Sequence, residues 1–76
     1  MAISVGILTV SDRCYRGEAE DVSSPLIGQW VTDELGGQVK RQAVVPDERD
    51  LIQETLISWS DEQRLDLILT TGGTGF

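Results

Sequence analysis

The residues of this chain that could carry chemistry lie in short polar stretches that follow apolar runs. The stretch TTGGTG, residues 70–75, follows the run LDLIL and offers unhindered backbone N–H groups and threonine hydroxyls. Such groups can donate hydrogen bonds to phosphate oxygens, and glycine tolerates positive φ. The stretch lacks the lysine of G-x-x-x-x-G-K-[ST] and the spacing of G-x-G-x-x-G. From the residues alone, a phosphate-binding loop and a plain strand-to-helix turn are therefore equally open.

Carboxylates follow the other two apolar runs. Ser11-Asp12 follows the first run, Asp47 follows the second in the stretch VVPDE, and Asp21 lies in the polar stretch between them. Each has a simpler interpretation: Ser11-Asp12 as a turn after a strand, Asp21 as a solvated loop charge, and Asp47 as a helix N-cap. The cap and a chemical role can coexist at Asp47, because a cap uses only one carboxylate oxygen.

The missing residue types exclude several kinds of site. The chain has no histidine, and Cys14 is its only cysteine. The absence of histidine excludes nucleophilic sites that depend on it and the commonest zinc sites, and a single cysteine excludes an internal disulfide. Carboxylates are therefore the metal ligands to consider. Cys14 and Tyr15 are predicted to be packing residues of a loop.

Composition limits the partners and the cellular location. Thirteen acidic and six basic residues give a formal charge of −7, which repels nucleic acid but still allows a small phosphorylated ligand that binds backbone N–H groups. Because no apolar run reaches the ~20 residues of a membrane span, we expect no membrane partner. The start MAISVGILTV does not resemble a signal peptide, so a cytoplasmic protein is expected.

Periodicity predicts alternating elements in the order β-α-β-α-β within 76 residues, the size of at most one small domain. The strands are expected at residues 3–10, 38–45 and 65–70, with the first central and the second near a sheet edge. Ser24 is predicted to cap a first helix that begins at Pro25 and ends at Gly36-Gly37. Asp47 is predicted to cap a second helix over residues 48–60.

The helices have apolar stripes, and the predicted topology gathers the polar stretches. Trp30 and Trp59 share helical spacing with aliphatic residues and are predicted to lie in the core or an interface. Right-handed crossovers between parallel strands bring the loops after all three strands to one carboxyl edge of the sheet. Ligands bind at that edge in open α/β sheets.

Three motifs in this order carry a resemblance to a known family. The stretch GILTVSDRCYRGEAEDVSSP, then VVPDE, then a strand that ends in TTGGTG resembles the N-terminal half of the molybdopterin-binding family. That family includes the MogA and MoaB proteins and the G domain of animal gephyrin. The resemblance implies an α/β fold with three layers and a mainly parallel sheet, in which residues 1–76 form the N-terminal part of one Rossmann-like domain.

The resemblance also implies an activity. Molybdopterin adenylyltransferases of this family transfer AMP from ATP to molybdopterin and release pyrophosphate, in molybdenum cofactor biosynthesis. A non-catalytic pterin or nucleotide-phosphate binder of the MoaB type and an inactive half-domain are the alternatives. The expected partners are molybdopterin, ATP and, by family resemblance, two further copies in a homotrimer.

Site residues are carried over from the same resemblance. Asp47 is the expected catalytic residue and ligand of Mg²⁺. The expected substrate-binding residues are Ser11, Asp12, Asp21, Thr70, Thr71, Gly72, Gly73, Thr74 and Gly75. Family members continue with a helix and a second catalytic aspartate in an R-D-x-T-P stretch, which these 76 residues do not contain. Position 24 is serine where the family often has glycine.

Overall fold

A computed structural model describes residues 2–72 of the chain. Its strands are β1 (Ser4–Val10), β2 (Gln38–Val45) and β3 (Leu67–Thr71). A short helix α1 (Asp12–Tyr15) follows β1, and α2 (Ser23–Trp30) continues into a wider π-helical turn over Val31–Leu35. Helix α3 (Arg49–Asp61) connects β2 to β3. The predicted β-α-β-α-β order is confirmed, with α1 as an addition inside the predicted loop.

The sheet is parallel, with the strand order β2-β1-β3. β1 is central, and β2 lies at one edge of the described sheet, as predicted. β3 pairs only with β1 among residues 2–72, so its outer side forms the other edge. The pairing of β1 with β2 shifts register after Val5, so that Val39 lies opposite Val5 and Arg41 lies opposite Gly6. This bulge at Lys40 changes the face to which the later residues of β2 point.

Each face of β1 packs against a different helix. Val5 and Ile7 are fully buried and form a cluster with Val31, which follows α2. On the opposite face, Gly6 lies against the ring of Trp59 in α3. Side chains alternate along a strand, so the continuous apolar run of β1 supplies both faces. The result is the predicted three-layer α/β arrangement.

Burial separates the two tryptophans. Trp59 is 7% exposed and belongs to the core, as predicted, whereas Trp30 is 50% exposed and does not. Leu26, on the same helix, is 66% exposed. Of the aliphatic residues that share helical spacing with Trp30, Val31 belongs to the core cluster and Ile27 packs against it. The buried stripe of this helix is therefore narrower than its spacing predicted. Tyr15 is exposed rather than packed, and Cys14 is half-buried.

Both predicted helix caps are wrong, although both helices are present. Helix α2 begins at Ser23. The N–H groups of its first turn donate to the Asp21 carboxylate rather than to the Ser24 side chain. Helix α3 begins at Arg49, and Glu48 occupies its N-cap position without a side-chain cap bond. The end of the first helix at Gly36, which has a φ of 64°, is confirmed. Within residues 2–72, no helix is long and apolar enough to cross a membrane.

Candidate functional site

The three strands end at the same edge of the sheet, where the loops that follow them meet. The Ser11 N–H, just after β1, donates to the carbonyl of Val45 at the end of β2 over 2.9 Å. Gly72, just after β3, has a φ of 82°, and a Cβ placed on it would lie 3.0 Å from the carbonyl oxygen of Val10. The predicted convergence of Ser11, Asp47 and the glycine turn at one edge is therefore present in the fold.

Ser11 organises the loop after β1. It has extended backbone geometry and caps α1, because its side-chain oxygen accepts the Cys14 N–H over 3.2 Å. This is the usual position and chemistry of a serine N-cap. The Ser11 hydroxyl is half-buried at the sheet edge. Its local role is thus a cap, and its predicted role toward a substrate stays a prediction.

Asp12 and Asp47 are brought together from loops 35 residues apart. The Asp47 N–H donates to Oδ1 of Asp12 over 2.9 Å, while both side chains remain exposed. The Asp47 N–H therefore points toward the first loop, and the Glu48 N–H turns back to the carbonyl of Pro46 over 2.8 Å. This local turn places the helix start after Asp47, which explains why Asp47 does not cap α3. Its carboxylate lies in solvent at the edge where a ligand would bind.

A cluster of three oxygen-bearing side chains lies beneath this edge. Oδ2 of Asp21 accepts the Thr9 hydroxyl over 2.8 Å and the Ser24 hydroxyl over 2.6 Å. The two hydroxyl oxygens are 2.6 Å apart, and Thr9 and Ser24 are only 3% and 1% exposed. Oδ1 of Asp21 accepts the N–H groups of Ser23 and Ser24 over 3.2 and 3.1 Å. The two hydroxyls have one proton each, so only two of the three short contacts can be hydrogen bonds at any moment.

Asp21 is therefore not the solvated loop charge that the sequence suggested. Burial raises the pKa of Asp21, but the hydrogen bonds donated by Ser24, Thr9 and Ser23 outweigh burial and leave the pKa below its ordinary value. Thr9 is not apparent as a site residue from the sequence, because it lies inside the apolar run ISVGILTV. A hydroxyl near the end of an otherwise apolar strand was the available signal.

The lowered pKa of Asp21 predicts an acid-dependent loss of stability. The folded state releases this proton more readily than the unfolded state, whose Asp pKa is about 3.9. The stabilisation is thus fully present above that value and disappears as pH falls through the lower folded pKa. We expect Asp21→Asn to reduce the free energy of unfolding at pH 7 and to flatten its decline below about pH 5. Urea titrations at a series of pH values measure this, and an unchanged acid slope would contradict it.

The glycine turn is the third part of the site. Thr70 is exposed and Thr71 is half-buried at the end of β3. Gly72 occupies the left-handed region, where a side chain is strained, and packs against the main chain at the end of β1. Gly73, Thr74 and Gly75 lie outside the described residues. Gly72 thus lies against the end of β1, next to the residue that precedes Ser11.

Gly72→Ala is expected to weaken binding of a phosphorylated ligand such as ATP about tenfold. The added Cβ meets the Val10 carbonyl and forces the turn away from β1. Gly17→Ala is the matched control, since Gly17 has a φ of 78° but nothing within 4 Å of an added Cβ. Calorimetry on folded variants of the whole protein measures both affinities. Unchanged affinity in Gly72→Ala would show that the turn only connects elements.

The donor atoms present are compatible with Mg²⁺ bound jointly with a substrate. Residues 2–72 contain no group of three or more Cys, Asp or Glu side chains placed to hold an ion by themselves. Mg²⁺ typically uses one or two carboxylates together with substrate phosphates. The exposed carboxylate of Asp47 is suitable for this role, and Asp12, which accepts the Asp47 N–H, is a second exposed carboxylate of the same edge.

These features define a parallel α/β domain with a polar site at the carboxyl edge of its sheet. The family described as "Probable molybdopterin binding domain" matches residues 6–76. The chain belongs to this molybdopterin-binding family, of the MogA and MoaB type, as its three motifs predicted.

The chain is similar in sequence to several named proteins and similar in structure to a solved one. The chain is 42% identical over 74 residues to a molybdopterin adenylyltransferase of Helicobacter pylori and 35% identical over 74 residues to that of Escherichia coli K12. It is 41% identical over 75 residues to the molybdenum cofactor synthesis protein cinnamon of Drosophila melanogaster. The molybdopterin biosynthesis enzyme MoaB of Thermus thermophilus superposes with a TM-score of 0.87 at 44% identity.

The alignments cover nearly all of this chain but only part of each relative. They span 96% of the chain against 42% and 38% of the two bacterial adenylyltransferases, and 99% against 12% of the Drosophila protein. The structural match covers 97% of this chain and 46% of MoaB. The chain thus spans less than half the length of these relatives.

Proposed function

We propose that the whole protein carrying this chain is a molybdopterin adenylyltransferase of molybdenum cofactor biosynthesis. It would join AMP from ATP to the terminal phosphate of molybdopterin and release pyrophosphate. The observation that carries this proposal is the similarity, at 35–42% identity over 74 residues, to bacterial proteins of that name. The aligned region covers 96% of the chain.

The residues at the sheet edge suit this reaction. A phosphate oxygen of molybdopterin is already nucleophilic, so attack on the α-phosphate of ATP needs no histidine base. What the protein must supply is alignment of two anionic substrates and compensation for the charge that develops on the leaving pyrophosphate. Backbone N–H groups of a glycine turn can bind phosphate although the chain carries a net charge of −7.

Asp47 is the proposed catalytic residue and Mg²⁺ ligand. A Mg²⁺ ion bound with ATP would offset charge on the phosphates. Asp47 suits this role because its carboxylate is exposed while its N–H is fixed by Asp12 over 2.9 Å. Main chain and side chain therefore serve different functions, and the carboxylate remains available to a ligand.

We assign the proposed substrate-binding set to the same carboxyl edge of the sheet as Asp47. It comprises Ser11 and Asp12 from the loop after β1, together with residues 70–75 at and beyond the end of β3. Asp21 contributes to this set indirectly, because both of its carboxylate oxygens accept hydrogen bonds from within the protein. Parallel strand order supports this grouping, because β1 lies between β2 and β3 and its loop borders both neighbours. A homotrimer, which the family resemblance implies, and a cytoplasmic location complete the proposal.

A non-catalytic binder of molybdopterin or nucleotide phosphate, of the MoaB type, is the second candidate. The structural similarity to MoaB at a TM-score of 0.87 favours considering it. The two candidates differ in whether AMP is transferred after both ligands bind. An inactive half-domain applies only to a polypeptide that consists of residues 1–76.

The deciding experiment incubates the whole protein with radiolabelled ATP, Mg²⁺ and molybdopterin. We expect labelled AMP on the pterin and release of pyrophosphate, whereas binding of both ligands without transfer would support the second candidate. A polypeptide of residues 1–76 is expected to show no transfer and to associate with increasing concentration by sedimentation. β3 would offer it an unpaired apolar edge at which Leu67 is 37% exposed. A stable monomer with turnover would contradict the half-domain interpretation.

A further inference from the structure

The buried Thr9 and Ser24 side chains and the half-buried Asp21 carboxylate form a polar connection, here called the β1–α2 clamp. Oδ2 of Asp21 accepts hydrogen bonds from the hydroxyls of Thr9 in β1 and Ser24 in α2. Oδ1 accepts two hydrogen bonds from N–H groups in the first turn of α2. Both carboxylate oxygens are thus used inside the protein. A group with this pattern of contacts holds other parts of the chain in place.

The clamp closes the loop that carries the first part of the site. Thr9 and Asp21 are 12 residues apart and are joined directly by a hydrogen bond of 2.8 Å. Residues 11–20 lie between them, including Ser11, which caps α1, and Asp12, which accepts the Asp47 N–H. Fixing both ends of a loop reduces the conformations open to its middle. The position of Asp12 relative to Asp47 therefore depends on the clamp.

The clamp also borders the glycine turn. A Cβ on Gly72 would lie 3.7 Å from the methyl group of Thr9 and 3.0 Å from the carbonyl oxygen of Val10. The Thr9 side chain thus has its hydroxyl in the clamp and its methyl group near the turn after β3. Thr9 therefore connects Asp21, at the end of the loop after β1, with Gly72, at the start of the glycine turn.

We propose that Asp21 is a positioning residue that, through Thr9 and Ser24, fixes the loop of residues 11–20 beside Asp47 and the start of the glycine turn at Gly72. In this role Asp21 contributes to substrate binding through the groups it holds, without touching the substrate. Only the kinetic consequence rests on the proposed adenylyl transfer. The geometric consequence concerns the loops and can be measured without any ligand.

Amide hydrogen exchange in the whole protein tests the geometric consequence. The reporters at the site are the N–H groups of Cys14 and Asp47, which bond to Ser11 and Asp12. The reporters at the opposite edge are the N–H groups of Gln38 and Asp66, which bond to the carbonyls of Ile3 and Ser4. We expect Asp21→Asn to accelerate exchange at the site about tenfold or more and at the opposite edge less than about twofold.

Paired variants keep the test informative. Glu20→Gln makes the same change of charge on an exposed neighbour and should leave all four rates unchanged. Ser24→Ala removes one hydroxyl and keeps the carboxylate, so it replaces Asp21→Asn if that variant does not fold. Thr9→Val should reproduce the faster exchange at the site, and Thr9→Ser should restore slow exchange. Equal acceleration at all four reporters, or none at Cys14 and Asp47, would overturn the proposal.

Kinetics separate this proposal from the proposed function. If the whole protein transfers AMP, Ser24→Ala should raise the KM for ATP several-fold more than it lowers kcat, because the loops are misplaced while Asp47 remains. An equal loss at Glu20→Gln would contradict the positioning role. Absence of transfer by the unmodified protein would refute the proposed function, and the exchange rates would still decide on the clamp.

Discussion

Asp47→Asn in the whole protein is expected to lower the rate of AMP transfer about 100-fold or more while leaving the melting temperature unchanged. The carboxylate is exposed and does not cap α3, so little folding free energy depends on its charge. Asparagine keeps the backbone N–H that donates to Asp12. It lacks the negative charge that a carboxylate offers to Mg²⁺, and removing one electrostatic group from a phosphoryl-transfer site typically has an effect of this size.

Asp50→Asn is the matched control for this experiment. Asp50 lies in the first turn of α3, is also exposed, and loses the same charge. Its acidic side chain favours the helix N-terminus, so we expect a stability loss of about 0.3–1 kcal/mol and no loss of transfer. Transfer at the unmodified rate by Asp47→Asn, at saturating ATP and Mg²⁺, would show that Asp47 is not the catalytic residue.

Gly6→Val is expected to abolish cooperative folding of the whole protein. A Cβ at position 6 would lie 2.6 Å from a methyl group of Leu65 and 2.7 and 2.9 Å from two ring atoms of Trp59. The Trp59 ring cannot withdraw easily, because Trp59 is buried in the core. Overpacking typically costs about 1–3 kcal/mol and more against a rigid ring, while small domains have little stability to lose. Circular dichroism during heating measures the effect.

Gly28→Ala provides the contrast within α2. Its Cβ would make ordinary contacts of 3.7 and 3.8 Å with Ile7 and Val39. Alanine is favoured over glycine in a helix by about 1 kcal/mol, so we expect a higher melting temperature. If Gly6→Val unfolded cooperatively near the unmodified temperature, the close packing of β1 against Trp59 would be wrong.

Sequence alone was sufficient for the element order, the sheet type and the family. A continuous apolar run such as ISVGILTV can be covered on both faces only inside a sheet, which placed β1 at the centre. Parallel connections then required all three following loops to share one edge. Three motifs in this order predicted the family, because the residues of the loops at that edge can be read directly from the sequence.

The helix caps could not be predicted from the sequence, because several residues with suitable side chains lie near the start of each helix. Ser24 and Asp47 have suitable chemistry, yet Asp21 supplies the acceptors at α2, and α3 begins one residue further along than predicted. A backbone N–H binds whichever acceptor the fold brings nearest. For Asp47 that acceptor belongs to Asp12, 35 residues earlier in the chain.

Tertiary structure alone decided which charged and apolar side chains are buried or hydrogen-bonded. Asp21 looked like a solvated loop charge until the fold placed it between the hydroxyls of Thr9 and Ser24. Trp30 and Trp59 have similar helical patterns, but only Trp59 meets a glycine that lets its ring reach the sheet. Hydrogen bonding and close packing depend on contacts between residues distant in sequence. Periodicity therefore determined the elements of this protein, and long-range contacts determined which side chains are buried, charged or available to a ligand.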